Sequence, residues 1–205
     1  MSILLRHDGV DANHKRVWRV YRDAGLSVRK TRRKRIAWAS RPERSAATKL
    51  NERWSMDFMN GSLADGRSLP VLNIVDDFSR RALTMEVDLS LPAQRVIRAL
   101  EQAGELYGLP SSIVVDNGPE FTSKVLDAWC HEGEIEPFFI RPGKPIENAY
   151  AESFNGRVRE ECLNQHAFES VAHARSVIEG WREDYNTVRP HSSLDGLATE
   201  KHLQQ

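Results

Sequence analysis

The stretch that decides the fold is RWSMDFMNGSLADGRSLPVLNIVDDFSRRALTMEVDL, residues 53–89. It contains three short runs rich in Val, Ile, Leu, Phe and Trp, separated by the turn segments ADGRS and SRR. Apolar runs of this length between turn segments predict strands, and short connections join antiparallel neighbours. The stretch therefore predicts three consecutive antiparallel strands.

Downstream, predicted helices and strands alternate. Residues 92–107 have Pro92 near their start and place Val96, Leu100 and Ala103 on one helical face. The elements that follow are a strand at 111–115, a helix at 123–133, a strand at 135–140, and helical stretches at 147–165 and 170–186. The order βββαβαβαα combines a meander with βαβ crossovers and predicts an α/β fold with a mixed five-stranded sheet. It is also the element order of the ribonuclease H fold.

Length and composition limit the class of protein. The 205 residues suffice for one α/β domain and a small appendage. No apolar run approaches the roughly 20 residues of a membrane helix, and no apolar signal segment follows the N-terminus, so we expect a cytoplasmic protein without a membrane partner. Cys130 and Cys162 lack the spacing of a zinc site and are expected to be buried free thiols.

Charge is unevenly distributed along a chain whose formal net charge is zero. Residues 1–56 hold 15 of the 29 Lys/Arg but 5 of the 29 Asp/Glu, which leaves 14 and 24 to residues 57–205. The basic residues concentrate in one run: Arg29, Lys30, Arg32, Arg33, Lys34 and Arg35. This run predicts either a solvated arm or, as we favour, an arm that contacts phosphates of a nucleic acid.

The N-terminal region predicts one short helix within residues 11–25, with Asn13 as its cap and Gly25 as its stop. We divide the chain into a basic helical segment (1–35), a linker (36–52), the main domain (53–195) and a tail (196–205).

Three carboxylates stand out by position. Asp57 lies inside the first predicted strand, where burial is costly without a partner. Asp116 ends a strand, where α/β folds place their sites, and Glu152 lies on a helix. If they converge, their oxygens suit Mg²⁺ or Mn²⁺, and two such ions can drive in-line displacement at a phosphodiester.

Other interpretations compete with this site, because 29 acidic residues offer many triples. Asp76 and Asp77 form a rival carboxylate pair, although we favour a strand end that leads into the turn at Ser79. His191 is a candidate general base, but the segment RPHSSL more readily predicts a C-terminal docking turn.

Five segments together carry a family resemblance: WSMDF (54–58), VLNIVDDFSR (71–80), DNGPEFTSK (116–124), IRPGKPIENAYAESFNGRVREECLN (140–164) and YNTVRPHSSL (185–194). They resemble the frame-B transposase of the insertion-sequence-three group, a member of the retroviral-integrase superfamily. The 35 residues between Asp116 and Glu152 are similar to that family's D(35)E spacing.

The resemblance implies a ribonuclease H-like fold, two Mg²⁺ (or Mn²⁺) ions, cleavage at element ends and strand transfer into a target. It assigns the catalytic and metal-binding roles to Asp57, Asp116 and Glu152. It also places a basic residue at Arg159, seven positions after Glu152 on the same helical face, where we expect a phosphate contact.

Further DNA contacts are predicted for Asn117, Lys144 and Asn155, with Gly118 shaping the turn beside the site. Turn and cap roles for Asn117, Gly118 and Asn155, and a solvated Lys144, are the alternatives. The resemblance implies element-end and target DNA as partners, a homo-multimer on DNA, the product of the upstream frame as a helper, and association with the bacterial nucleoid.

The chain also departs from the family pattern. The region before Asn13 is short, so we expect residues 1–35 to be a truncated helix-turn-helix-like module. Ile146 stands where Thr is common and Val115 where Ser is common, while LDGLATEKHLQQ replaces the usual ending. Two alternative functions follow: a catalytically silent DNA-binding remnant that regulates related transposases, and a nuclease of the same fold acting on RNA–DNA hybrids.

Overall fold

The computed structural model describes residues 9, 13–26, 46–141 and 148–204. Its strands are β1 (Trp54–Ser62), β2 (Ser68–Asp76), β3 (Ala82–Val87), β4 (Ser112–Val115) and β5 (Glu136–Phe139). Its helices are α1 (His14–Asp23), α2 (Ala93–Tyr107), α3 (Lys124–Glu132), α4 (Ala149–Val158), α5 (Val171–Thr187) and α6 (Thr199–Leu203). The predicted order βββαβαβαα is confirmed from β1 to α5.

The five strands form one mixed sheet in the order β3-β2-β1-β4-β5. β1 pairs antiparallel with β2 and β2 with β3, which confirms the meander. β4 runs parallel to β1, and β5 runs parallel to β4, with α2 and α3 in the crossover connections. β1 is therefore the central strand, and its parallel neighbour β4 ends beside it.

The two faces of the sheet pack against different helices. On β2, Leu72 and Ile74 lie in one hydrophobic core, whereas Val71 and Val75 lie in the other, because successive side chains of a strand point to opposite faces. Side chains of α2 and α3 complete the first core, and side chains of α4 and α5 complete the second. The sheet is the middle of three layers.

The helical stretch predicted at 147–165 is not one regular helix. α4 ends at Val158 and continues into a π-helical turn, Arg159–Leu163. The wider turn buries two successive side chains, Cys162 and Leu163, in the second core. A pattern analysis that assumes 3.6 residues per turn cannot detect such a turn.

Residues on both sides of the predicted main domain, 53–195, pack against it. The domain limits themselves stay a prediction. Asn51 donates its backbone N–H to Asp76 (3.0 Å) and accepts the indole N–H of Trp54 (3.0 Å). At the other end, Thr199 is fully buried and Glu200 forms an ion pair with Arg81.

Three further predictions can be compared with the structure. α1 begins after Asn13, whose side chain accepts the N–H of Lys15 (3.0 Å), and it is followed by Gly25 at a φ of +69°.

Cys130 and Cys162 are buried free thiols, and burial raises the pKa of each to about 11. Within the described ranges, no helix has both the length and the apolar character that a membrane span requires.

Candidate active site

Asp57 is held in the middle of the central strand on the face that α4 covers. Its neighbours Met56 and Met59 are buried on opposite faces of β1, whereas Asp57 itself is half-buried. Its Oδ1 accepts the backbone N–H of Phe58 (2.9 Å), and its Oδ2 accepts a side-chain N–H of Asn155 (2.8 Å). Asp57 lies inside a strand, as predicted, and these donors partly compensate its burial.

Asp116 follows directly after the last residue of β4. The parallel register pairs Ser55 with Val114, so two residues further on Asp57 and Asp116 lie at the same level of adjacent strands. The Oδ1 of Asp116 accepts the N–H of Gly118 (2.8 Å), which turns the carboxylate back over its own loop.

The loop after β4 has little space and is tied to the next strand. A Cβ added to Gly118 would lie 2.9 Å from Asp116 Oδ1. Asn117 donates its side-chain N–H to the carbonyl of Ile140 at the end of β5 (2.5 Å). Both contacts agree with the turn-shaping alternative for Asn117 and Gly118, and a DNA contact by Asn117 stays a prediction.

Glu152 lies in the first turn of α4, half-buried. The N-cap residue of this helix, Asn148, is buried and donates its side-chain N–H to the carbonyl of Met56 (2.9 Å). That hydrogen bond attaches the start of α4 to β1, one residue before Asp57. Asn148 was not predicted from the sequence to belong to the site.

The pKa of Asp57 is affected by both of the other carboxylates. Burial raises its pKa to about 6, and the negative charges of Asp116 and Glu152 contribute to the rise in pKa. Like charges near a carboxylate disfavour its ionised form. Asp116 and Glu152 thus both lie within electrostatic range of Asp57.

The side chains of the three carboxylates are not close enough together to bind one metal ion. In the part of the chain that the structure describes, no group of three or more His, Cys, Asp or Glu side chains has the spacing of a metal site. The donor set is nevertheless all oxygen, as hard divalent cations prefer. Burial and the negative charges of Asp116 and Glu152 raise the pKa of Asp57, and a bound cation would offset the repulsion between these charges.

A buried amide completes the surroundings of Asp57. Asn73 lies opposite Asp57 in the antiparallel register of β1 and β2, and it donates to the side-chain oxygen of Asn155 (2.5 Å). The signal was present in the sequence, since Asn73 is the only polar residue in the run LPVLNIV, but its partner lies 82 positions later. Asn155 is thus bonded at both ends of its amide, and its DNA contact stays a prediction.

Arg159 lies at the junction of α4 and the π-helical turn. Its side chain is exposed, and Nη2 donates to the carbonyl of Asn60 near the end of β1 (3.3 Å). It borders a cleft of about 440 Å³ whose walls include Ser62, His166 and Phe168. This position leaves the guanidinium accessible to an anion. Lys144 and the basic run Arg29, Lys30, Arg32, Arg33, Lys34 and Arg35 lie outside the described residues.

The rival carboxylates have structural partners. Asp76 Oδ1 accepts the N–H and hydroxyl of Ser79, both at 2.7 Å, and Asp77 Oδ1 accepts the hydroxyl of Ser55 (2.6 Å). Both carboxylates are buried. This geometry agrees with the favoured strand-end interpretation, in which Asp76 forms the turn that leads to β3.

His191 is buried within the C-terminal turn. Its backbone N–H bonds the carbonyl of Leu197 (3.0 Å), and its ring packs edge-on against Tyr185 at 4.8 Å between centroids. Burial lowers the pKa of His191 to about 4. The structure thus agrees with a C-terminal docking turn, and the alternative role of His191 as a general base stays a prediction.

Comparison with known proteins gives the family. Residues 47–145 match one integrase core domain family, and residues 133–198 match a second family of the same description. A protein of insertion element IS407 from Burkholderia multivorans is 45% identical over 198 residues, which cover 97% of this chain and 72% of that protein. An IS476 protein from Xanthomonas euvesicatoria is 45% identical, but this chain spans only 55% of its length.

Relatives that are named transposases match as well. The transposase for insertion sequence element IS904 from Lactococcus lactis is 30% identical over 205 residues, 94% of this chain and 81% of that protein. Such identity over most of both chains establishes common ancestry rather than a shared fold alone.

Solved structures agree on the fold. A chain in the structure of the simian T-cell lymphotropic virus intasome in complex with PP2A regulatory subunit B56 gamma superposes with a TM-score of 0.69 and 18% identity, over 84% of this chain and 61% of that one. The HTLV-2 integrase catalytic core domain in complex with magnesium gives a TM-score of 0.59 at 20% identity, over 74% and 95%. The ribonuclease H-like α/β fold predicted from the sequence is confirmed, and the chain belongs to the integrase core family of insertion-element transposases.

Proposed function

We propose that this chain is the catalytic core of a DDE transposase, which cleaves DNA strands at the ends of an insertion sequence and joins them to a target. Asp57, Asp116 and Glu152 are the catalytic and metal-binding residues in this proposal. The observation that carries it is the position of Asp57 in the central strand, level with Asp116 and with its pKa raised by burial and by the charges of Asp116 and Glu152.

The three carboxylates would hold two Mg²⁺ or Mn²⁺ ions. When bound, a pair of such ions supplies activation of a water or 3′-hydroxyl and stabilisation of the leaving oxygen in displacement at a phosphodiester. The three carboxylates would move closer together when the ions bind. Asp57 and Asp116 approach from adjacent strands, and Glu152 approaches from the helix that covers them.

The protein's own groups would then orient the DNA strand. Arg159 lies two helical turns beyond Glu152 and has an accessible guanidinium, which suits a backbone phosphate. The basic run at 29–35 would add contacts that do not depend on base sequence. We further propose that the chain works as a multimer on paired DNA ends, with the upstream-frame product recognising the terminal repeats.

The test is cleavage of a labelled duplex that carries the native element end, in Mg²⁺ and in Mn²⁺, with the upstream-frame protein present and absent. We expect nicks at the element boundary from wild type, and no nicks from Asp116→Asn. Glu101→Gln removes an exposed carboxylate from α2, on the opposite face of the sheet, and should cleave like wild type.

Two outcomes would replace the proposal. Salt-sensitive DNA binding without cleavage under any metal would favour the silent, regulatory DNA-binding protein. Cleavage of RNA–DNA hybrids, without cleavage of duplex ends, would favour a nuclease of the same fold.

A further inference from the structure

A chain of two amides connects the core of the protein to Asp57. Asn73 is fully buried, with 0% of its surface exposed, and its Nδ2 donates to Asn155 Oδ1 at 2.5 Å. Asn155 Nδ2 in turn donates to Asp57 Oδ2 at 2.8 Å. The carboxylate is therefore bonded to a group on α4 whose own partner lies on β2.

The chain of hydrogen bonds has a direction. A side-chain amide has one donor end and one acceptor end, and Asn155 uses its acceptor end for Asn73. If the Asn155 amide turned over, its oxygen would face a carboxylate oxygen, and both atoms are acceptors. The donor at Asn73 bonds the oxygen of Asn155 and thus reinforces the orientation in which Asn155 supports Asp57.

Packing does not account for Asn73. Its neighbours on the same face of β2 are Val71 and Val75, both within the second core. Its Oδ1 is buried and has no hydrogen-bond partner among the described residues, a situation that costs stability. An apolar residue would fill this position without leaving an acceptor unpaired, so the donor end of Asn73 is the part that the structure uses.

We propose that Asn73 is a positioning residue for the metal-binding carboxylate of Asp57, acting through Asn155. The inference rests on the proposed function and adds a residue to its site. The two donors at Asp57, Asn155 and the N–H of Phe58, occupy two of roughly four lone-pair sites of the carboxylate. The amide chain fixes which two remain for a cation, so losing it would loosen the carboxylate without removing it.

Binding of Mn²⁺, followed by electron paramagnetic resonance without DNA, measures this role apart from catalysis. Asn73→Leu removes the donor and keeps an apolar core, and we expect its dissociation constant for Mn²⁺ to rise about 10-fold, as for other outer partners of metal ligands. Asn155→Leu should weaken binding at least as much. The double variant should bind like Asn155→Leu alone, because Asn73 acts only through Asn155.

The control variant is Val71→Ala, which creates a gap on the same face of the same strand. It should lower the melting temperature and leave Mn²⁺ binding unchanged. If Asn73→Leu does not fold, Asn73→Ala makes the same measurement with a smaller side chain.

The outcomes separate the two proposals. If wild type binds Mn²⁺ and both Asn73 variants bind it equally well, the positioning role is wrong and the metal site stands. Additive losses in the double variant would also overturn the positioning role, since Asn73 would then act independently of Asn155. If wild type itself binds no Mn²⁺, the proposed metal site fails, and the role of Asn73 fails with it.

Discussion

Asn155 donates a hydrogen bond of 2.8 Å to Asp57, and so joins the helix that carries Glu152 to the strand that carries the first carboxylate. Because Asn155 and Glu152 are three residues apart on α4, a shift of the helix would move both relative to Asp57. The alignment of the site therefore depends on contacts between β1 and α4.

Removal of this contact should impair the reaction more than the fold. We expect Asn155→Ala to lower the rate of strand cleavage about 10- to 100-fold, the usual effect of losing an outer partner of a metal ligand. Ser153→Ala, at an exposed position of the same helix, is the matched control. Equal rates for Asn155→Ala and wild type, with both fully folded, would show that the contact does not position Asp57.

Gly118 should be intolerant of even one methyl group. In Gly118→Ala the new Cβ would lie 2.9 Å from Asp116 Oδ1, so the carboxylate has to move. We expect a loss of cleavage with a nearly unchanged melting temperature, because the displaced group is a side chain at the rim of the sheet.

Gly156→Ala is the matched control for Gly118→Ala. A Cβ at Gly156, one turn beyond Glu152 on α4, meets no atom within 4 Å. This substitution should stabilise the helix by about 1 kcal/mol and leave cleavage unchanged. If Gly118→Ala cleaves as well as Gly156→Ala, the Asp116 carboxylate is not held where catalysis needs it.

His191 should make the protein sensitive to acid. Its pKa is lowered from 6.5 to about 4 by burial, so the folded state favours the neutral ring. The resulting stability is fully present above pH 6.5 and is lost as the pH falls through 4, by about 3 kcal/mol in total. His191→Phe keeps a ring against Tyr185 and should remove this loss.

The contribution of His191 is obtained from the difference in the free energy of unfolding between wild type and His191→Phe. Burial raises the pKa of Asp77 to about 6, so its contribution is largest at low pH and is lost as the pH rises from 3.8 through 6. Denaturant unfolding of wild type and His191→Phe at several pH values gives that difference. A constant difference across pH 4–6.5 would contradict the lowered pKa, and abolished cleavage in a stable His191→Phe would revive the general base.

Arg159 should contribute to DNA affinity and not to sequence preference. Arg159→Gln removes one phosphate contact, so binding should weaken about equally for all sequences and the salt dependence should fall by about one ion. Arg98→Gln, on the exposed surface of α2, should change neither quantity. An unchanged salt dependence in Arg159→Gln would remove this residue from the DNA interface.

The sequence was sufficient for the elements that depend on local pattern. Short apolar runs between turn segments predicted β1 to β3. Asp57, Asp116 and Glu152 stood out by position, within a strand, after a strand and on a helix, and the family resemblance assigned them to one site. Contacts between distant segments were not predictable in this way. The bonds of Asn73 to Asn155 and of Asn148 to Met56 span 82 and 92 positions, and only the folded chain brings them together.

The proposed function requires Asp57, Asp116 and Glu152 to bind divalent cations. The most direct measurement is a crystal structure of the chain with Mn²⁺, with the ions located by anomalous scattering. We expect anomalous peaks within ligand distance of Asp57 and Asp116, with Glu152 closed onto the same site. Absence of peaks there at saturating Mn²⁺, or peaks held by other side chains, would contradict it.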